Sequence, residues 1–271
     1  MLYVILAVLL VPPLLFVYFT LPGHAKKDKK AHFYGRNIAH RGLYESDQSV
    51  PENSLGAFKR AVEHGYGIEL DVQLSADGQV VVFHDDTLSR VCGLDKRVDE
   101  LDYEELQKLS LFGTNERIPL FSEVLQAIGD NTPLIVELKT GKRNKELCEK
   151  TYELLSAYNG VYCIESFDPF IVKWFRFHAR HVLRGQLAQT PGDFVKSGTS
   201  KPVGFILGNV LFNFLARPHF IAHKQGKKTP AVKFAEKTGA MDVIWTVRGE
   251  KDQPDCDVII FEHYRPDIRF R

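Results

Sequence analysis

Short apolar runs with β-type composition alternate with helix-patterned stretches along most of this 271-residue chain, and that alternation constrains its fold more than any other feature. Candidate strands fall at 38–39, 67–73, 80–84, 134–139, 161–165, 182–186, 220–222, 243–247 and 258–261. Helical patterns lie between several of them, at 54–63, 102–109, 122–128, 145–158 and 230–237. Strands separated by helices of this length argue for a parallel sheet with helical crossovers. A barrel of eight such units commonly fills a chain of about 250 residues alone. Nine runs is one too many. Either Asp77-Gly78 turns a hairpin or one run stands outside the barrel.

The N-terminus follows a different rule. Residues 1–25 contain no Asp, Glu, Lys or Arg, although the chain carries 35 basic and 34 acidic side chains. At about 1.5 Å per residue, the apolar stretch 2–21 reaches the roughly 30 Å of a bilayer core. Pro12-Pro13 would kink a helix there, which membrane helices tolerate. Lys26, Lys27, Lys29, Lys30 and Arg36 follow, against a lone Asp28. The positive-inside rule keeps that flank cytoplasmic. The expected organisation is a single-pass transmembrane anchor over 1–23, a basic juxtamembrane linker over 24–36 and one cytoplasmic barrel over 37–271. A cleaved signal peptide is the rival, with Gly23-His24-Ala25 as a cleavage site, but the segment lacks the positive leading region.

The net charge of +1 gives no support for a nucleic-acid partner. Cys92, Cys148, Cys163 and Cys256 form no CxxC and read as free, partly buried thiols. Residues 205–216, within an insertion at about 203–218, are too apolar for an ordinary connection and too short to span a bilayer. They read either as a buried helix capping the barrel or as an interfacial segment beside the mouth of the barrel. In the second case Arg217, His219, His223, Lys224, Lys227 and Lys228 stand near anionic headgroups.

The chemistry collects at strand ends. Glu69 and Asp71 share one face of the run 67–73, while Ile68, Leu70 and Val72 share the other. Like charges that close raise a pKa unless a cation sits between them, and a hard divalent ion with oxygen ligands resolves the conflict. A solvated strand face would explain the pair without chemistry, but Glu137 ends a second run too apolar for a surface strand. Lys139, on the same face, suits an anionic substrate oxygen. His40 and His84 each terminate a β-type run, where a pKa near 6.5 lets them move protons both ways. Arg41 presents a planar fork matched to phosphate.

With those residues in hand, the chain resembles the glycerophosphodiester phosphodiesterase family, whose fold is a phosphatidylinositol-phospholipase-C-like TIM barrel. The stretches that carry the resemblance are Ala39-His40-Arg41-Gly42, Pro51-Glu52-Asn53-Ser54, Glu69-Leu70-Asp71-Val72, Phe83-His84-Asp85-Asp86-Thr87-Leu88 with Arg90, Glu137-Leu138-Lys139, Ser166-Phe167-Asp168-Pro169 and Trp245-Thr246-Val247. The resemblance implies a TIM (β/α)8 barrel, here preceded by one transmembrane helix. It implies that Glu69, Asp71 and Glu137 hold one divalent cation, Ca²⁺ or Mg²⁺. It assigns His40 and His84 as the general acid and base, Arg41 and Lys139 to the phosphate, and Glu52 and Trp245 to the glycerol side or pocket wall.

The expected substrate is a glycerophosphodiester or a lysophospholipid taken from membrane lipids. The nucleophile is either water or the substrate's own hydroxyl. The alternative is a membrane-tethered, phospholipid-binding barrel without turnover. Three departures from the family pattern bear on substrate rather than reaction: Val91-Cys92-Gly93 in place of a Thr-rich turn, Arg248 in place of Asn, and the C-terminal Asp257-Val258-Ile259-Ile260-Phe261-Glu262.

Overall fold

The surplus ninth run is one arm of a hairpin. The computed structural model describes residues 2–271, with side chains from residue 9 onward. Its strands are β1 (Arg36–Ala39), β2 (Gly67–Leu74), β3 (Val80–Val82), β4 (Leu134–Leu138), β5 (Tyr162–Ser166), β6 (Leu183–Ala188), β7 (Phe220–Lys224), β8 (Met241–Val247) and β9 (Val258–Phe261). After β2, Gly78 at φ +80° turns the chain back so that β3 pairs antiparallel with β2, Val72 opposite Val82. The other eight are parallel, and β1 pairs with both β9 and β2 to close a barrel.

Alternation along these strands separates two cores. Ile38, Ile135, Cys163, Leu187, Phe220, Ala222, Val243, Val258 and Ile260 cluster together as the barrel interior. Their sequence neighbours, among them Leu134, Val136, Ile164, Ile244 and Ile259, pack outward against helices. Two of those helices begin where short polar side chains replace missing backbone partners. Ser54 accepts from Ala57 N–H ahead of helix Leu55–Glu63, and Asp168 accepts from Phe170 N–H ahead of helix Pro169–His178. In the second, Pro169 stands at the first helical position, where its missing N–H costs nothing. All four cysteines are free thiols, three of them buried.

The N-terminal segment forms helix Leu2–Thr20. Among the described residues, no helix is long and apolar enough to cross a membrane. The anchor expected at 1–23 falls partly on residues 1–8, whose side chains lie outside those described. The end of this helix is fastened to the barrel. Asn213 Nδ2 donates to Thr20 O at 2.7 Å, Arg217 Nη1 to Leu21 O at 2.6 Å, and Gly23 N–H to Pro218 O at 2.8 Å. Phe214 meets Phe19 edge-on at 5.1 Å and packs against Tyr18 at a tilt, 5.4 Å between ring centres. Residues 24–36 are packed as well, since Lys29 and Lys30 donate to the carbonyls of His181 and Gly239 and Phe33 is buried in the barrel-interior cluster.

The apolar insertion is neither a simple cap nor a detached flap. It folds as helices Lys201–Gly208 and Asn213–Ala216, with Val210 buried and Val203 and Phe205 exposed. Most of the cations expected to serve headgroups are committed elsewhere. His219 and His223 are buried, which depresses their pKa values to about 3 and about 4 and keeps them neutral. Arg217 holds Leu21, and Lys228 bridges Glu236 at 2.7 Å and Asp242 at 2.5 Å. Lys224 and Lys227 remain exposed.

Candidate active site

The period-two rule that turns Ile135 and Cys163 into the barrel also turns the residues two further along each strand inward. At the C-terminal ends these are polar. Asp71 lies beside Glu137, which lies beside Glu165, in one row across β2, β4 and β5. Glu69 sits one step below on β2. Oxygen atoms of Glu69, Asp71 and Glu137 lie within 4.8 Å of one another, and all three residues are buried.

This cluster is electrostatically unfinished. Burial would raise Asp71, but Lys139, His84 and Arg41, with a 2.9 Å hydrogen bond from Asn53 Nδ2, hold it well below the usual carboxylate range. Lys139 also bonds Glu137 at 2.8 Å and Asp71 at 3.3 Å. Glu69 and Glu137 are nevertheless shifted upward by burial, with the neighbouring carboxylates adding to it. Glu165 is raised well above its ordinary value for the same reasons, and its Oε2 is buried without a hydrogen-bond partner. Converging buried carboxylate oxygens short of positive charge are a fitting donor set for a hard divalent cation.

Arg41 is fixed by strained local geometry. Its φ of +54° is in the left-handed region, uncommon for a side-chain-bearing residue. That turn aims its N–H at Glu69 Oε2, 3.0 Å away, and its guanidinium between Glu52 (2.6 Å) and Asp71 (3.6 Å). The following Gly42, at φ +82°, has no room for a side chain: a Cβ there would stand 2.9 Å from that of Ala57. Glu52, expected on the substrate side, is instead held between two guanidinium groups. Arg90 approaches it at 2.7 and 3.2 Å as Arg41 does from the other side, and the Glu52 carboxylate is kept below its ordinary pKa against the effect of burial. Glu52 therefore positions Arg41.

Both histidines are backed by carboxylates. His40 Nδ1 lies 2.6 Å from Glu262 Oε2, and His84 Nδ1 lies 2.6 Å from Asp85 Oδ1. A carboxylate accepts, so each Nδ1 carries the proton and each Nε2 is left available. Glu262 also accepts from Tyr44 (3.0 Å) and Arg248 (2.6 Å), and Asp85 from a two-pronged contact with Arg90 at 2.6 and 3.0 Å. Burial and then Arg41 lower the pKa of His40, while Glu262 opposes them. Replacing Glu262 by Gln removes the counter-charge of the imidazolium. The limb of the kcat/KM profile that reports His40 is then expected to move to lower pH, with a loss of rate as the ring loses its orientation. A pH profile of unchanged rate and position would remove Glu262 from this role.

His40, Arg41, Glu69, His84, Glu137 and Glu165 all face one cavity of about 880 Å³. Trp245 stands in its wall, its Nε1 donating to Ala222 O at 2.9 Å and its ring meeting Phe167 edge-on at 5.7 Å. The residues that sequence reasoning did not assign are Glu262, Asp85, Asn53, Arg90 and Glu165. Four of these stand in or next to stretches already singled out. Glu165 had a signal too, since it ends its strand run as Glu137 ends the one before.

A sequence model described as the glycerophosphoryl diester phosphodiesterase family matches residues 40–259. The chain is similar to a glycerophosphodiester phosphodiesterase of Caldanaerobacter subterraneus, 39% identical over 163 residues, which cover 56% of this chain and 66% of that protein. It is also similar to human lysophospholipase D GDPD1, 34% identical over 157 residues, 53% of this chain and 48% of that one. The matched part thus spans between 48% and 66% of these curated relatives' lengths. In fold it is similar to an Oleispira antarctica phosphodiesterase solved with the product sn-glycerol-3-phosphate, with a TM-score of 0.69 at 24% identity, covering 86% of this chain and 94% of that one.

Proposed function

Since the chain belongs to the glycerophosphoryl diester phosphodiesterase family, we propose that it hydrolyses glycerophosphodiesters to glycerol 3-phosphate and an alcohol, with lysophospholipids at a membrane surface as further substrates. One observation carries this reading: two carboxylate-backed histidines face the same cavity as a buried cluster of acidic ligands and a fixed arginine. Binding alone requires no paired acid and base, which disfavours a scaffold without turnover.

A phosphodiester resists attack because its anionic oxygens repel nucleophiles. Arg41 and Lys139, both held ionised by Asp71 and their other carboxylate neighbours, offset the charge that grows on those oxygens. Glu69, Asp71 and Glu137 would hold Ca²⁺ or Mg²⁺, which when bound supplies Lewis-acid stabilisation of the same charge. One histidine removes the proton from the attacking hydroxyl through Nε2. The other gives a proton to the departing alcohol, and the carboxylates behind both rings stabilise whichever imidazolium forms.

The apolar stretch 2–21 and its basic flank support a single-pass anchor with the barrel on the cytoplasmic side. Membranes from cells expressing the full chain, supplied with a divalent ion, are expected to release glycerol 3-phosphate from glycerophosphocholine or glycerophosphoethanolamine. Absence of release with either ion overturns the proposed reaction. Activity found only in the soluble fraction overturns the anchor.

A further inference from the structure

The last carbonyls of a helix have no partner within it, and a basic side chain is a common cover. Helix Asn213–Ala216 receives more cover than it can use. Arg176 Nη1 donates to Phe214 O and Leu215 O at 2.8 Å each, and Arg184 Nε donates to Ala216 O at 3.1 Å. Arg217, in the left-handed C-cap, gives its Nη1 to Leu21 O. Three guanidinium groups thus meet at the end of four helical residues. A helix end carries only about half a negative charge, so about two and a half positive charges stay uncompensated.

No Asp or Glu among the described residues pairs with any of the three, and Arg176 itself opposes the charge of both Arg184 and Arg217. Arg184 is only 6% exposed, and burial and then Arg176 lower its pKa to about 10. Its Nη1 and Nη2 make no hydrogen bond among the described residues. Buried His219 feels the same field: after burial, Arg184, Lys30 and Lys29 oppose its protonation. Buried charge short of its opposite is costly, and the fork of an arginine matches phosphate oxygens. We infer that Arg176, Arg184 and Arg217 form a phosphate-binding site, apart from the catalytic cavity that none of them lines, and that it takes the headgroup of an anionic phospholipid.

The position of the site commits the phosphate to a lipid. Arg217 Cζ lies 5.7 Å from the centre of the Tyr18 ring and Arg176 Cζ 5.1 Å from that of Phe177, and both rings are exposed. Tyr18 belongs to the last turn of helix Leu2–Thr20, the end from which the apolar stretch leaves a bilayer. Aromatic rings collect at that headgroup level, and basic side chains beside them draw anionic lipids. A phosphate ester in free solution has no use for either ring. The lipid's place rests on the anchor reading, and nothing in it rests on the phosphodiesterase chemistry. Because the arginines come from helix Pro169–His178, β6 and the β6–β7 connection, one headgroup braces the barrel against the bilayer at a second point.

The test gives the full chain, in dodecyl maltoside, equal amounts of phosphatidate and phosphatidylcholine with matched acyl chains. Native mass spectrometry counts the bound lipids. Phosphatidate is a monoester, so the proposed reaction does not consume it. At about fivefold for each arginine near a headgroup, phosphatidate should be favoured by up to about 10²-fold. Arg176→Gln, at a half-buried position, should lower that preference about fivefold, and Arg176→Gln with Arg184→Gln about 25-fold. The single variant keeps the test open if the buried Arg184→Gln fails to fold. Equal retention of both lipids, by a chain that fractionates with membranes, overturns the site and leaves the anchor standing; it is also the result if an acidic protein segment is the occupant. A preference undiminished in both variants places the lipid elsewhere and overturns the assignment. Displacement of phosphatidate by excess inorganic phosphate gives the site to a soluble anion and overturns the lipid. A chain found only in the soluble fraction overturns the anchor and the lipid together.

Discussion

Alanine at His40 or at His84 is expected to lower kcat by about two to four decades while the protein stays folded. The structure separates these two consequences. Removing the His40 ring leaves Glu262 accepting from Arg248 and Tyr44, and removing the His84 ring leaves Asp85 in the two-pronged contact with Arg90. Neither change strands an unpaired charge, which is the usual reason that deleting one partner of an ion pair is destabilising. Steady-state turnover on glycerophosphocholine, read beside a thermal melt, checks both statements. Near-normal turnover in either variant would take that histidine out of the proton-transfer pair. A melt lowered as much as the rate would recast it as structural.

Stripping divalent ions by exhaustive chelation is expected to abolish turnover, with Ca²⁺ or Mg²⁺ restoring it. Asp71→Ala should lose at least about 10²–10³-fold, the scale of removing one preorganised stabiliser of transition-state charge. A second readout is independent of catalysis. A ligand at a hundred times its Kd stabilises the folded state by about 2.7 kcal/mol, so added ion should raise the Tm of the wild type and not of Asp71→Ala. The carboxyls of Glu69 and Glu137 are shifted upward, so protons compete with the ion and its affinity should weaken as the pH falls. Equal Tm shifts in both proteins would show that the ion binds elsewhere.

Why some of this could be read from the chain alone, and some not, has a physical basis. Glu69 and Asp71 declared themselves because a two-residue period puts them on one face, and the hairpin at Asp77-Gly78 because a turn is a local event. Glu262 did not. It lies one residue beyond a strand only four residues long, and the partner that gives it meaning, His40, is distant in the chain and adjacent only once β1 and β9 close the barrel. Glu52 shows the converse difficulty. A charged residue in a recognisable motif invites assignment to the substrate, yet whether its oxygens are free depends on Arg90, thirty-eight positions away. The apolar insertion was legible as unusual, but its destination, with Val203, Leu207 and Phe212 lining the cavity, is a matter of long-range packing.

The fastening of Thr20, Leu21 and Gly23 to Asn213, Arg217 and Pro218 makes the chain between helix and barrel a splint and not a tether. If the helix is seated in a bilayer, the catalytic mouth is held at one height and one tilt above it. Encounter then becomes a search in two dimensions within a single leaflet. Such an enzyme would process molecules diffusing laterally past its own foot, and lengthening the residue 21–25 segment with a flexible spacer would trade that surface selectivity for reach.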